Sequence, residues 1–240
     1  MAGVRVHWLA RPMKARRHFH EELEAIELDV LALGEMAERA LGQAVETLGS
    51  RDQDAAESVI AGDDPIDERY LDIERRWLEL LALQTPVAGD LRLISAIMHV
   101  NLHLERIGDM AVNIAKIAML TRELPGNQTI MTHLREMADV VRPMIRTSLD
   151  AFVRRDLDLA QSLPDMDDPV DRLNRNMYRE VASCASDPDM LEWAIRMMVV
   201  SRQLERAGDH AVDIAEQVAF LLTGEFHEFS DASHPEQGSG

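Results

Sequence analysis

The sequence predicts an all-α protein built from two tandem, pseudo-symmetric three-helix bundles. Apolar residues recur at steps of three and four through most of the chain, which is the period of amphipathic helices. Only 4% of the residues are aromatic, a composition that suits packed helices better than a sheet. Residues 104–115 recur at 204–215 with three differences in twelve positions. A match this long and this polar indicates an internal duplication.

The first long helical pattern runs over residues 19–48 and is interrupted at Arg51-Asp52. A short helical segment, 54–60, follows and ends at Gly62. Residues 1–12 show no helical period, so we expect them to form a disordered leader.

The second and third helices each have a start signal that contains proline. Asp64 is predicted as the N-cap of the second helix with Pro65 at its first position, and this helix runs to about Leu83. Thr85-Pro86 repeats this signal and opens a third helix that runs to about Thr121. This third helix carries the first copy of the duplicated stretch.

Pro125-Gly126-Asn127 is the clearest break in the chain, and the second half then repeats the order of the first. A long helix is predicted at 137–152 with a bend at Pro143, and Asp167-Asp168-Pro169 matches Asp63-Asp64-Pro65 as a helix start. The last helix begins at Asp187-Pro188 and ends near Gly224. The predicted segments are a leader at 1–12, a first repeat at 13–124, a second repeat at 128–225 and a disordered tail at 226–240.

A polar stripe follows the apolar seam of each duplicated helix at steps of four residues. It consists of Asn101, Glu105, Asp109 and Asn113 in one helix, and of Ser201, Glu205, Asp209 and Asp213 in the other. Like charges at this spacing destabilise an isolated helix by a few tenths of a kcal/mol. One explanation is a solvated face on which Arg106 and Arg206 pair with Asp109 and Asp209. The other is a metal site, because carboxylate and amide oxygens are the ligands of hard cations.

The metal hypothesis names six candidate ligands and one or more divalent or trivalent ions, such as Mg²⁺, Mn²⁺, iron or Zn²⁺. The candidates are Glu105, Asp109, Asn113, Glu205, Asp209 and Asp213. Gly108 and Gly208 each cost about 1 kcal/mol inside a helix, so a close helix approach or a bound ion should compensate. Because Asn113 is neutral where the second copy has Asp213, we expect the first site to be weaker.

Other polar residues of the repeats are interpreted as structural. Asp67 and Asp171 follow the predicted N-caps by three residues, where a carboxylate favours the helix dipole. Asp90 occupies a similar first turn. Three histidines, His99, His103 and His210, lie on the duplicated helices, but none has a histidine partner four residues away, so we interpret them as surface or packing residues.

The duplicated stretch resembles the signature of the PhoU family of phosphate-signalling proteins. The resemblance rests on Leu-Glu-Arg-Ile-Gly-Asp at 104–109, on Ala-x-Asn-Ile-Ala at 111–115 and on the lead-in 86–92, and it covers about 13–225. It implies a negative regulator of phosphate uptake and of the phosphate-starvation response. The implied partners are a phosphate-specific ABC transporter and a sensor histidine kinase. Family members typically form homodimers, and some bind multinuclear metal clusters through Glu-x-x-x-Asp pairs.

Composition excludes several other classes of function. A net charge of −18 makes a nucleic-acid partner improbable, and the single cysteine, Cys184, excludes an internal disulfide and fits a reducing compartment. No phosphate-binding glycine loop and no recognisable nucleophile motif occurs, so catalysis has little support. We expect a cytoplasmic protein that meets the membrane only through partners. Two alternatives stay open, a carboxylate-bridged metal-dependent enzyme and a metal-free helical adaptor.

Overall fold

The computed structural model describes residues 10–83, 86–226 and 228–229, with side chains from residue 16 onward. These residues form helices and no strand, which confirms the predicted all-α class. The helices are α1 (Ala10–Ser50), α2 (Gln53–Ala61), α3 (Asp63–Leu83), α4 (Ala88–Leu120), α5 (Gln128–Arg154), α6 (Leu157–Gln161), α7 (Leu163–Ser183) and α8 (Pro188–Thr223).

The helices form two tandem three-helix bundles. The first consists of α1, α3 and α4 with the short α2, and the second of α5, α7 and α8 with the short α6. The two bundles share one hydrophobic core, because α4 packs against α8 and α1 packs against α5. Residues of the apolar seams are fully buried in this core, among them Ile97, Val100, Leu104, Met197, Val200 and Leu204.

The junctions after the two long helices are alike. Arg51 and Arg155 adopt left-handed backbone angles, with φ of 57° and 55°. The next residue caps the following helix in each case: Asp52 accepts a hydrogen bond from the Ala55 N–H at 3.1 Å, and Asp156 accepts one from the Leu159 N–H at 3.0 Å. The duplication therefore extends to the backbone conformation of the turns.

The predicted starts of α3 and α7 were wrong. The helix α3 begins at Asp63, so Asp64 lies in its first turn and is not its N-cap. In the second half α7 begins at Leu163, which places Asp168 and Pro169 inside the helix. The reason is that α6 has five residues where α2 has nine, so the helix break comes one turn earlier relative to the Asp-Asp-Pro motif. Pro169 then costs α7 one backbone hydrogen bond.

The start of α4 also differs from the prediction. The first helical residue is Ala88, and the N-cap is Val87. The side chain of Val87 cannot accept a hydrogen bond from the N–H groups of the first turn. Thr85, the predicted start signal, lies outside the described residues. Asp90 lies in the first turn of α4, as predicted, where a carboxylate favours the helix dipole.

Close packing and ion pairs join α1 to α5 across the two halves. Gly34 lets α1 approach α5 closely, because a Cβ atom at this position would clash with the side chain of Leu149. The largely buried carboxylate of Glu38 accepts hydrogen bonds from Arg142 Nε and Arg146 Nη1, both at 2.7 Å. The halves are thus held by both apolar and ionic contacts.

The prediction of a disordered leader and tail does not hold for those residues of the two ends that the structure describes. Residues 10–12 of the predicted leader belong to α1, and residues 1–9 lie outside the described part. At the start of the predicted tail, the ring of Phe226 stacks on Phe220 with centroids 3.8 Å apart, and the Phe229 N–H donates to Glu216 at 2.7 Å. Residues 230–240 are outside the described part. No described helix has an apolar stretch long enough to cross a bilayer.

Candidate metal sites

The first acidic cluster is made by Asp63 and Asp67 of α3 with Glu105 and Asp109 of α4. Burial, and then the neighbouring charge of Asp109, raises the pKa of Glu105, while Asp67 and Asp63 add to the effect. Burial also raises the pKa of Asp63, with contributions from Asp67 and Asp109. Arg106 opposes part of this repulsion, because its guanidinium lies 3.5 Å from both Glu105 Oε2 and Asp109 Oδ2.

The second acidic cluster is made by Asp167 and Asp171 of α7 with Glu205 and Asp209 of α8. Asp167, Asp171 and Glu205 are all buried, with exposures of 1%, 3% and 5%. Burial, followed by the charge of Asp209, raises the pKa of Glu205 to about 7, although Arg202 acts in the opposite direction. Arg202 donates a hydrogen bond to Glu205 Oε1. The second cluster is therefore more deeply buried than the first.

The two central glycines leave space for side chains of α3 and α7 beside these clusters. A Cβ atom on Gly108 would lie 3.2 Å from the side chain of Ile66, and one on Gly208 would lie 2.5 Å from Asp167 Oδ1. Both distances are shorter than ordinary carbon contacts. The glycines thus allow α3 and α7 to approach α4 and α8 closely, which is the first of the two explanations offered for their mid-helix positions.

The acidic clusters hold donors of the type that a hard cation prefers, although among the described residues only His103, His210 and Asp213 bring three potential ligand atoms within 4.8 Å of one another. The Oε2 atoms of Glu105 and Glu205 are buried and accept no hydrogen bond from the described residues. A buried carboxylate oxygen without such a partner is costly, and a bound cation compensates the cost. Four carboxylates on two neighbouring helices also supply the oxygen donors that Mg²⁺, Mn²⁺ and iron prefer.

A different set of polar side chains meets between α4 and α8. His103 Nδ1 and His210 Nδ1 are 3.0 Å apart, and Asp213 Oδ2 lies 3.2 Å from the nitrogen of His210 and 3.4 Å from that of His103. Burial lowers the pKa of His103 to about 4, so its imidazole is neutral near pH 7. We call His103, His210 and Asp213 the histidine cluster.

The histidine cluster borders an open cleft of about 410 Å³. Arg206, Asp209 and Glu216 also line this cleft, together with His210 and Asp213. The side chains of the two histidines are mostly buried, with exposures of 16% and 18%, whereas that of Asp213 is exposed to 42%. The cluster therefore has a buried side and a side that solvent can reach.

Comparison with known proteins gives the family of the chain. The PhoU domain matches residues 30–118 and again residues 134–218. The chain belongs to the PhoU family. The two matches fall on the two halves that the duplication indicated.

Relatives and solved structures of PhoU proteins cover nearly all of the chain. It is 35% identical over 219 residues to the phosphate-specific transport system accessory protein PhoU homolog of Clostridium acetobutylicum, over 90% of this chain and 99% of that one. The PhoU homolog of Caulobacter vibrioides is 33% identical, over 87% of this chain and 91% of that one.

Two PhoU crystal structures resemble the fold closely. PhoU from Pseudomonas aeruginosa has a TM-score of 0.82 at 35% identity, and the match covers 86% of this chain and 100% of that one. The phosphate transport system regulatory protein PhoU from Streptococcus pneumoniae has a TM-score of 0.79 at 30% identity, over 87% and 99% of the two chains.

The six ligands predicted from the sequence do not all lie together in this PhoU-family fold. Glu105 and Asp109 join the first acidic cluster, and Glu205 and Asp209 join the second. Asn113 is exposed on α4, and the carboxylate of Asp213 belongs to the histidine cluster. That Asn113 and Asp213 ligate ions of the acidic clusters stays a prediction.

Sequence reasoning missed part of each site. Asp67 of α3 and Asp171 of α7 were interpreted as first-turn carboxylates that favour the helix dipole, although their repetition in both halves was a signal of a shared role. His103 and His210 were missed because 107 residues separate them in the chain. A usable signal was that two of the three differences between the repeat copies are Met110/His210 and Asn113/Asp213.

Proposed function

We propose that this protein is a negative regulator of phosphate uptake and of the phosphate-starvation response. It acts in the cytoplasm by binding a phosphate-specific ABC transporter and a sensor histidine kinase, and it reaches the membrane only through these partners. The observation that carries this proposal is the similarity of the chain to proteins named phosphate-specific transport system accessory protein PhoU homolog. The similarity extends over nearly the full length of this chain and of each relative. Those names describe accessory proteins, which supports a regulatory role without catalysis.

We further propose that both acidic clusters hold divalent or trivalent metal ions, with Mg²⁺, Mn²⁺, iron and Zn²⁺ as candidates. The ligands come from α3 and α4 in the first cluster and from α7 and α8 in the second. The support is the buried Oε2 atom of Glu205, which accepts no hydrogen bond from the described residues, and the repetition of the same carboxylates in the first cluster, where Arg106 lies 3.5 Å from Glu105 Oε2. A bound cation offsets the repulsion among the carboxylates and fixes each pair of helices in its packed position.

The family resemblance also leads us to propose a homodimer. Light scattering coupled to gel filtration gives the mass of the particle in solution directly. One chain has a mass of 27.0 kDa. A single species of twice that mass supports the proposal, and a monomer at working concentration contradicts it.

The regulatory proposal is tested by deleting the gene and measuring a phosphate-starvation promoter in phosphate-rich medium. We expect derepression in the deletion strain and restoration of repression by the wild-type gene. Unchanged expression in the deletion strain, in a genome without a second homologue, contradicts the regulatory role.

Complementation with variants separates a metal-dependent regulator from a metal-free adaptor. We expect the double variant Asp109→Asn/Asp209→Asn to restore repression poorly, because both acidic clusters lose a carboxylate. The matched control is Asp158→Asn, which changes an exposed acidic residue in the first turn of α6 that belongs to neither cluster. Full repression by the double variant, at equal protein level, supports an adaptor that needs no metal.

A further inference from the structure

The histidine cluster contains three metal-ligand atoms that point at one another. They come from both halves of the chain, since His103 lies on α4 and His210 and Asp213 lie on α8. The three distances between their facing atoms are 3.0, 3.2 and 3.4 Å. These atoms form a small, nearly equilateral triangle.

This triangle has nearly the size of one face of a zinc coordination tetrahedron. With Zn–N and Zn–O distances of about 2.0–2.1 Å, the edges of such a tetrahedron measure about 3.3 Å. The observed edges differ from that value by a few tenths of an ångström. Two imidazole nitrogens and a carboxylate oxygen are also a donor set that Zn²⁺ uses in proteins.

Hydrogen bonding alone satisfies this arrangement poorly. In a neutral imidazole one ring nitrogen carries a proton and donates, and the other accepts. For the two Nδ1 atoms of His103 and His210 to form a hydrogen bond, one of them must therefore carry the proton. Asp213 Oδ2 then needs a proton from one of the same two nitrogens. A single cation that lies slightly off the plane of the triangle, as the metal does in a tetrahedral site, accepts all three lone pairs at once.

The divergence of the two copies gives a second, independent observation. The positions equivalent to His103, His210 and Asp213 in the other copy hold Gln203, Met110 and Asn113. Amide and thioether groups at those three positions are poor ligands for Zn²⁺. The three potential ligands therefore occur together at one location and are absent together at its pseudo-symmetric counterpart.

We propose that His103, His210 and Asp213 bind one divalent ion of borderline softness, Zn²⁺ or an ion of similar preference such as Co²⁺. The cleft of about 410 Å³ beside His210 and Asp213 leaves room for water as a fourth ligand. This site is separate in its donors from the carboxylate clusters and links α4 to α8. Metal binding here stabilises the junction between the two halves.

Co²⁺ titration of the metal-depleted full-length protein tests the proposal. Tetrahedral Co²⁺ with nitrogen and oxygen ligands absorbs visible light far more strongly than octahedral Co²⁺ at carboxylates. We expect strong bands that saturate at about one Co²⁺ per chain and disappear when Zn²⁺ is added. The same titration of Asp109→Asn/Asp209→Asn should give the same bands, since the acidic clusters do not produce them.

The other copy of the repeat supplies the test variants, His210→Met and Asp213→Asn. Each should weaken Zn²⁺ binding by at least about tenfold, because even second-shell changes cost 10- to 100-fold. The control is His133→Gln, a change of a histidine on α5, which should leave the titration unchanged. Circular dichroism in chelator shows whether each variant folds, and Asp213→Asn, a nearly isosteric change, provides the test if His210→Met does not.

The proposal is overturned if wild-type protein shows no strong Co²⁺ bands. It is equally overturned if the bands persist at full strength in folded His210→Met and Asp213→Asn. The histidine cluster is then a hydrogen-bonded contact between α4 and α8 only.

Discussion

Glu205 shows how much a single carboxylate depends on its surroundings in this protein. It is 5% exposed, and burial together with Asp209 raises its pKa to about 7. One of its oxygens accepts from Arg202, and the other is buried without a hydrogen bond from the described residues. The equivalent Glu105 has Arg106 3.5 Å from its own Oε2 and is less buried. The second cluster therefore gains more from a cation than the first.

This difference predicts unequal effects of two equivalent substitutions. Asp209→Asn should remove more bound metal than Asp109→Asn, because the second cluster is more deeply buried and its carboxylates gain more from a cation. In chelator, Asp209→Asn should raise the stability of the protein by a few tenths of a kcal/mol, as carboxylate repulsion is relieved. Elemental analysis and melting temperatures, with and without chelator, measure both effects. Equal metal content in wild type and both variants contradicts a cation at these clusters.

At the scale of helices, the sequence predicted most elements because each start and stop depends on nearby residues. Asp187-Pro188 does begin α8, and Gly224 caps its end with a φ of 80°. The starts of α3 and α7 were wrong because the Asp-Asp-Pro motif looks the same whether it begins a helix or lies in its first turns. Which of these occurs depends on the length of the preceding short helix, and packing against the bundle decides that length.

The candidate sites were predictable only on their own helices. The pairs Glu105/Asp109 and Glu205/Asp209 could be found because a helix of known period places them on one face. Their partners on α3 and α7, and the contact between His103 and His210, depend on how separate helices pack. A periodic pattern in one sequence predicts which face of a helix is buried but not which side chains of another helix meet it.

Two glycines of the central helices should respond in opposite directions to the same substitution. Gly208→Ala should destabilise the protein by about 1–3 kcal/mol, because its Cβ would lie 2.5 Å from the buried Asp167 carboxylate. Gly89→Ala should stabilise it by about 0.5–1 kcal/mol, because a Cβ there meets nothing within 4 Å and alanine favours the helix. Urea unfolding in chelator measures both. Equal shifts for the two variants would show that α7 is not packed tightly against α8.

For the whole molecule, the shared core predicts that both halves unfold together. The contacts of α4 with α8 and of α1 with α5, including the Glu38 ion pairs, would be lost if one half opened alone. Cooperative two-state unfolding is the expected result when so much of the core lies between the halves.

Tryptophans provide a probe for each half. Trp77 lies on α3 and Trp193 on α8, and both are buried. In two variants that each keep one of them, with Trp8 and the other replaced by Phe, fluorescence and circular dichroism of the same variant should give one midpoint of urea unfolding. The measurement is made in chelator, so that metal release adds no transition. Midpoints that separate by more than the error would show that the bundles unfold independently.

The position of α8 after all four helices that it packs against has a consequence during synthesis. It packs against α4, α5, α6 and α7, and its buried seam extends as far as Leu221. A ribosome therefore exposes α4 and α5 with uncovered apolar faces, and these faces are covered only after α8 has left the exit tunnel. Translation that stalls before α8 leaves a nascent chain that attracts chaperones and proteases, so truncated products should be cleared and not accumulate as a stable half-molecule.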